Sequence, residues 1–176
     1  MWRDKKDILR CDERFHNLQK NDPKLGYSRP LKIEDLHDDV AHLMLPASVP
    51  DDITRQFDLA RNAYIYSWFD YEMATLAEAH SYSVVEMAIK HRVKHDKSGK
   101  KPAGQGLTAA IKHAKVEKWL NQRDFDYVAN GETKSRLYDL IKMRNSLAHG
   151  EPHLFPSGSI MLMEWCYEII VALFQE

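Results

Sequence analysis

Residues 51–95, DDITRQFDLARNAYIYSWFDYEMATLAEAHSYSVVEMAIKHRVKH, run for 45 positions without a glycine or a proline. Ile53, Phe57, Ala60, Tyr64, Ser67 and Tyr71 recur at helical spacing, and Leu76, His80, Val84, Met87 and His91 continue a stripe at a similar interval. Pro50-Asp51-Asp52 supplies the start, with acids where a helix dipole favours them. One unbroken helix of this length would reach about 65 Å, too long for so small a globule. The run is therefore expected to divide near Phe69-Asp70-Tyr71 into two antiparallel helices.

The chain outward from this run also reads as helical. Ser98-Gly99-Lys100-Lys101-Pro102, with Gly104 and Gly106, predicts a loop. It lacks the Gly-Lys-Ser/Thr order of a nucleotide-hydrolysing phosphate loop. Leu107, Ile111 and Ala114 start a third helix that runs to Trp119-Leu120. Asn130-Gly131 marks a turn, and Thr133 is placed to cap a fourth helix whose Leu137, Leu140, Ile141 and Leu147 face inward. Ser157 caps the last, where Ile160, Met163, Trp165, Ile169, Leu173 and Phe174 predict burial on most sides, in the core or against a second subunit. Upstream, Pro23, Gly26 and Pro30 punctuate a polar stretch in which Ile8, Leu9, Phe15 and Leu18 could form a short docked helix. Ile33, Leu36, Val40 and Leu43 form one helical stripe before Pro46 and Pro50. The expected fold class is all-α: an antiparallel helical bundle over residues 51–176 with an N-terminal arm, residues 1–50, carrying one or two short helices.

With 176 residues and 44% apolar content, the chain can bury one substantial core. Its net charge of −1 exerts no global pull on nucleic acid, but the charge is unevenly distributed. Between residues 90 and 118, Lys90, Arg92, Lys94, Lys97, Lys100, Lys101, Lys112, Lys115 and Lys118 face only Asp96 and Glu117, whereas residues 32–58 are acidic. Lys97, Lys100, Lys101, Lys112 and Lys115 are the candidates for contacting RNA phosphates; a solvated basic loop, or attraction between the basic and acidic stretches across a dimer, are the alternatives. Cys11 and Cys166 form no metal or redox spacing. No apolar run approaches the roughly 20 residues of a membrane span and Met1-Trp2-Arg3-Asp4 does not resemble a signal peptide, so a cytoplasmic protein without membrane contact is expected.

Chemistry concentrates in Met143-Arg144-Asn145-Ser146-Leu147-Ala148-His149-Gly150. Asn145 and His149 are one turn apart and Ser146 flanks them, while Arg144 would point about 140° from His149 in an unbroken helix. Gly150 and Pro152 predict a helix end that lets the imidazole swing toward the guanidinium, a plausible phosphate site. The bland alternative is that Arg144 and His149 only cap the last carbonyls. Glu86, among Val84, Val85, Met87 and Ala88, requires a partner if buried, and Arg144 is the candidate; otherwise it is a surface carboxylate. His91 and His95 have metal-ligand spacing without a third ligand, so no metal or other cofactor is expected. Tyr64, Tyr66, Trp68 and Phe69 could stack bases, but at this spacing they also suit a core.

Arg144-Asn145-x-x-Ala148-His149-Gly150 after an amphipathic helix resembles the Arg-x(4-6)-His signature of HEPN domains, small all-helical modules that often act as metal-independent endoribonucleases in toxin–antitoxin and phage-defence systems. Phe57 to Phe69, Ser83 to Ile89 and Gly106 to Ile111 are similar to segments that follow in the same order in bacterial HEPN-like proteins, so the resemblance covers residues 51 to 176. It implies RNA cleavage by 2′-hydroxyl attack. Arg144, His149 and Asn145 would be catalytic, Glu86 and Ser146 supporting, in a homodimer whose motifs face each other. An antitoxin or inhibitor protein is an implied partner. The chain departs from toxins silenced by a nucleotidyltransferase at Glu151, where those carry tyrosine. A non-catalytic HEPN module binding RNA, a nucleotide or a protein partner is the alternative, and a purely structural helical dimer is a third.

Overall fold

The glycine- and proline-free run does divide. In the computed structural model, which describes residues 3–22, 26–149 and 156–175, it forms α2 (Asp51–Tyr66) and α3 (Met73–His95). What breaks it is not in the run. The backbone N–H of Asp12 donates to the Trp68 carbonyl (2.8 Å), and the Asp12 carboxylate accepts from the Tyr71 N–H (3.1 Å), so the upstream arm satisfies polar groups that the missing helical turn leaves open. Arg14 clamps this elbow, pairing with Asp12 (2.9 Å) and Glu72 (2.6 Å) and lying over the Tyr71 ring at 4.4 Å. Phe15 is buried with its ring 5.7 Å from Trp68 and 5.2 Å from Tyr71.

Residues 1–50 therefore share the core of the rest: Phe15, Leu36, Val40 and Leu43 belong to the same buried cluster as Ile53, Phe57 and Leu140. Ile8 and Leu9 do not, both being exposed. Two short 3-10 turns, Lys5–Asp7 and Glu13–Phe15, lead to a hairpin of β1 (Gln19–Asp22) and β2 (Tyr27–Pro30), then α1 (Ile33–Ala41). Arg29 grips Asp35 with two hydrogen bonds (2.6 and 2.7 Å), and Lys20 pairs with Asp39 (3.1 Å), which fixes the hairpin to α1.

Beyond α3 come α4 (Gly106–Val116), a 3-10 turn at Gln122–Phe125, a second hairpin of β3 (Asp126–Ala129) and β4 (Glu132–Ser135), then α5 (Arg136–Ala148) and α6 (Pro156–Phe174). The expected all-α class is thus corrected: six α-helices are joined by two antiparallel two-stranded sheets among the described residues. The second sheet follows from the turn that the sequence does mark. Asn130 (φ 54°) and Gly131 (φ 78°) both take positive φ, the two-residue geometry that matches the twist of paired strands and that glycine adopts without strain. Thr133 is consequently a strand residue rather than a helix cap, and Ser135 occupies the cap position of α5. The strands are only four residues long and alternate weakly in burial, which hides them from hydrophobic patterning.

Helix α6 runs through the centre against α3, with Leu162, Met163, Cys166, Ile169, Ile170 and Leu173 buried within the chain itself. On α3 the expected stripe is only partly the buried one: Leu76 is exposed, and Ala74, Ala77, Tyr82, Val85, Ala88 and Ile89 join Val84 inside. Small residues let α3 lie close to both α2 and α6. In its second turn Glu78 is fully buried beside Tyr82 and Cys166, accepts a hydrogen bond from Ser159, and is pushed up to about 7 by burial. Arg92 ties the far end, reaching the Leu173 carbonyl and lying over the Trp119 ring at 5.1 Å.

Two outcomes follow for stability. Asp12→Ala strands the buried Tyr71 N–H and removes one of the two carboxylate partners of Arg14, and is expected to cost about 2–4 kcal/mol by urea denaturation at pH 7; a loss within experimental error would show that the elbow holds without the arm. The folded chain keeps the Glu78 proton up to about pH 7, whereas an unfolded glutamate releases it near 4.5, so stability falls as pH rises between those values, by up to about 3 kcal/mol. Glu78→Gln should flatten that slope and be the more stable protein at pH 8, a comparison read from denaturation midpoints at pH 5 and pH 8.

Candidate functional site

α5 starts from β4 and buries Leu137 and Leu140, with Ile141, Met143 and Leu147 packed at the core edge. That face sets the direction of everything after it. The helix stays regular to Ala148, and His149 is its C-cap (φ −90°, ψ 5°), its backbone N–H shared between the Asn145 and Ser146 carbonyls at 3.1 Å each. Gly150, Glu151, Pro152 and His153, including the expected helix-ending glycine and the departure at Glu151, lie outside the described residues.

Arg144, Asn145 and Ser146 are half-buried and the His149 side chain is exposed. Arg144 Nη1 donates to Asn145 Oδ1 (3.2 Å), so the amide orients the guanidinium. The guanidinium forms no ion pair with any described carboxylate, and Arg144 lines a hollow of about 280 Å³ with Tyr82, Ser83 and Glu86 of α3, Leu107 of α4, and Leu147 and Ala148 of its own helix. Glu86 shares the hollow but pairs with Lys90 (2.6 Å) one turn on, not with Arg144 as expected. His149 does not line this hollow, because a regular helix keeps positions 144 and 149 on different sides. Tyr82 and Ser83 were absent from the sequence-derived set; Leu107 was read only as the start of a core helix.

The basic stretch resolves into parts with different tasks. Arg92 is structural, and Lys90 neutralises Glu86. Lys100 pairs with Glu117 (2.9 Å) and Lys115 donates to Gln122 (2.5 Å). Lys97, Lys101 and Lys112 are exposed and make no ion pair among the described residues. Three hollows run along this side: one at Lys90, Lys94, Lys100 and Lys101, one at Lys100, Lys101 and Lys112, and one at Lys112, Lys115, Lys134 and Lys142. Shared lysines make them contiguous, and Lys97 lines none of them. Lys134 and Lys142 were missed in the sequence because they lie beyond the dense basic run and join it only when β4 and α5 fold back beside α4.

Other sequence candidates dissolve into packing. Tyr64 is buried, where desolvation raises its phenol, and Trp68 packs on Phe15, while Tyr66 is exposed. The His91 and His95 rings stack at 4.2 Å, with His95 Nδ1 2.8 Å from the His91 carbonyl oxygen. Both cysteines are free. No helix of the described residues is long and apolar enough to cross a membrane. No protein-family model, no curated protein and no solved structure matches the chain.

Proposed function

We propose that this chain is an RNA-binding protein of HEPN type that cleaves RNA without a metal, by attack of a 2′-hydroxyl on the neighbouring phosphorus. The observation that carries this reading is the guanidinium of Arg144. It is half-buried, held by Asn145, left without a carboxylate among the described residues, and set in a hollow whose one acid is already neutralised by Lys90. A phosphodiester supplies the missing negative charge, and two parallel N–H donors suit its oxygens. The lysine-lined hollows beside it provide a path for the flanking phosphates.

In this reading Arg144 stabilises the charge that develops on the phosphoryl oxygens, Asn145 orients Arg144, and His149 moves the proton. One imidazole cannot serve both faces of the phosphorus, and His149 stands outside its own chain's Arg144 hollow. The composite site therefore pairs Arg144 of one protomer with His149 of a second in a homodimer. An antitoxin or inhibitor covering the same surface fits a toxin or phage-defence role in the cytoplasm. The separation of His149 from the hollow also favours a second reading, in which the protein binds RNA through Arg144 and the lysines and cuts nothing.

Incubation of the purified chain with mixed single-stranded RNA in the presence of a chelator separates the two. Cleavage should fall at least about 100-fold in His149→Ala, with RNA affinity and dimer mass retained; equal degradation by the variant would sink the catalytic assignment. Lys115→Ala with Lys134→Ala should weaken RNA binding alike for all sequences and reduce the salt slope, d log K against d log salt, by about 1.4. An unchanged slope would remove those lysines from the RNA path.

A further inference from the structure

The geometry points to Tyr138 as a base-stacking platform for single-stranded RNA, set in a lysine-rimmed hollow between α4 and α5. Spacing supplies the rim. Lys112 and Lys115 are three positions apart on α4, and Tyr138 and Lys142 are four apart on α5, so each pair projects from one side of its helix. Lys134 joins them from β4, and all five residues line the same hollow of about 570 Å³. The buried Ile111 and Leu137 line it from the core side.

The charge of this hollow is not balanced from within. None of the four lysines forms an ion pair among the described residues, and Lys115 donates to Gln122, a neutral amide. The one acid in the lining, Asp139, accepts from the Tyr127 phenol at 2.9 Å. Four ammonium groups around one hollow repel each other, and a polyanion that displaces their counterions offsets that repulsion. All four are lysines. A phosphate needs only a point charge, whereas the carboxylates of an acidic peptide are gripped best by the arginine fork, which no lining residue offers.

Tyr138 is the feature that the charges do not explain. It is 68% exposed and stacks on no ring among the described residues. A phenol ring left in water beside a cationic hollow can cover the face of an unpaired base while the lysines meet the phosphates on either side. Bases of a duplex are already stacked and offer it no face. Tyr138 does not line the Arg144 hollow, so it holds the strand and does not act on the phosphorus. The inference rests on the reading of this chain as RNA-binding, but not on cleavage.

Fluorescence anisotropy of the full chain with a labelled single strand of about 12 nucleotides tests the assignment. A 2′-O-methyl strand lacks the attacking hydroxyl, so binding is read apart from any cleavage. Tyr138→Ala should weaken that strand about tenfold with the salt slope and the melting temperature retained, because a stacking ring releases no counterions. Tyr138→Phe should bind as the unaltered chain does, since stacking uses the ring and not the hydroxyl. Lys134→Ala with Lys142→Ala should instead lower the salt slope by about 1.4. A duplex of the same length should ignore Tyr138→Ala. Tyr138-dependent binding by a chain that cuts no ordinary RNA supports the platform and sinks only the catalytic reading. Unchanged strand affinity in Tyr138→Ala overturns the platform and leaves the Arg144 reading intact. Equal losses in Tyr138→Phe and Tyr138→Ala, or equal losses for strand and duplex, overturn it as well. A chain that binds no strand overturns it too, and self-association lost in the double lysine variant would then name the acidic stretch of a second copy as the occupant.

Discussion

A single carboxylate, that of Asp12, decides how the long helical run is folded. Helices usually end where glycine or proline makes continuation costly, and neither occurs between Pro50 and Gly99. The reversal between α2 and α3 instead relies on an outside partner. Asp12 receives the Tyr71 N–H, its own N–H covers the Trp68 carbonyl, and the Arg14 guanidinium holds its carboxyl well below the usual carboxylate range. Without those bonds the elbow would expose backbone groups that continued helix satisfies at no cost. The antiparallel packing of α2 on α3, the seat of α6, and the placement of α4 and α5 all follow from that reversal.

The electrostatics show the same division of labour. Asp12, Asp35, Asp39, Glu72, Glu86 and Glu117 are each engaged by a cation that holds one element to another or steadies a helix surface. Acids are thereby spent on architecture, whereas Lys97, Lys101, Lys112 and Arg144 remain without carboxylate partners among the described residues. A net charge of −1 thus conceals cations left without a carboxylate partner among the described residues. Global charge describes solubility; the residual charge after internal pairing describes what a surface can bind.

Much of the architecture is readable in one dimension because helical burial follows a period. The stripe Ile53, Phe57, Ala60, Tyr64 is the buried face of α2, and Leu36, Val40 and Leu43 are buried as spaced. The hairpins escape because four-residue strands of mixed polarity carry no such signal, and Asn130-Gly131 names a turn without naming what it connects. The candidate site is readable only as a set of residue types. Arg144 and Asn145 are one step apart in sequence and do touch, whereas the pairing of Glu86 with Lys90 rather than Arg144 depended on which of two neighbours the α3 surface brings closer.

What the sequence by itself determined is local: which segments are helical, which faces are apolar, where the chain must turn, and that an arginine and a histidine sit at the tip of α5. Helical period and turn chemistry act over a few residues and need no other part of the chain. Only the tertiary structure decided which outside residues hold the reversal of the long run, which lysines join into one face, and that Arg144 looks into a hollow that His149 does not. Those outcomes depend on contacts between residues far apart in the chain, such as the Asp12 carboxylate with the Tyr71 N–H 59 positions on, and no period along the chain records such a pairing.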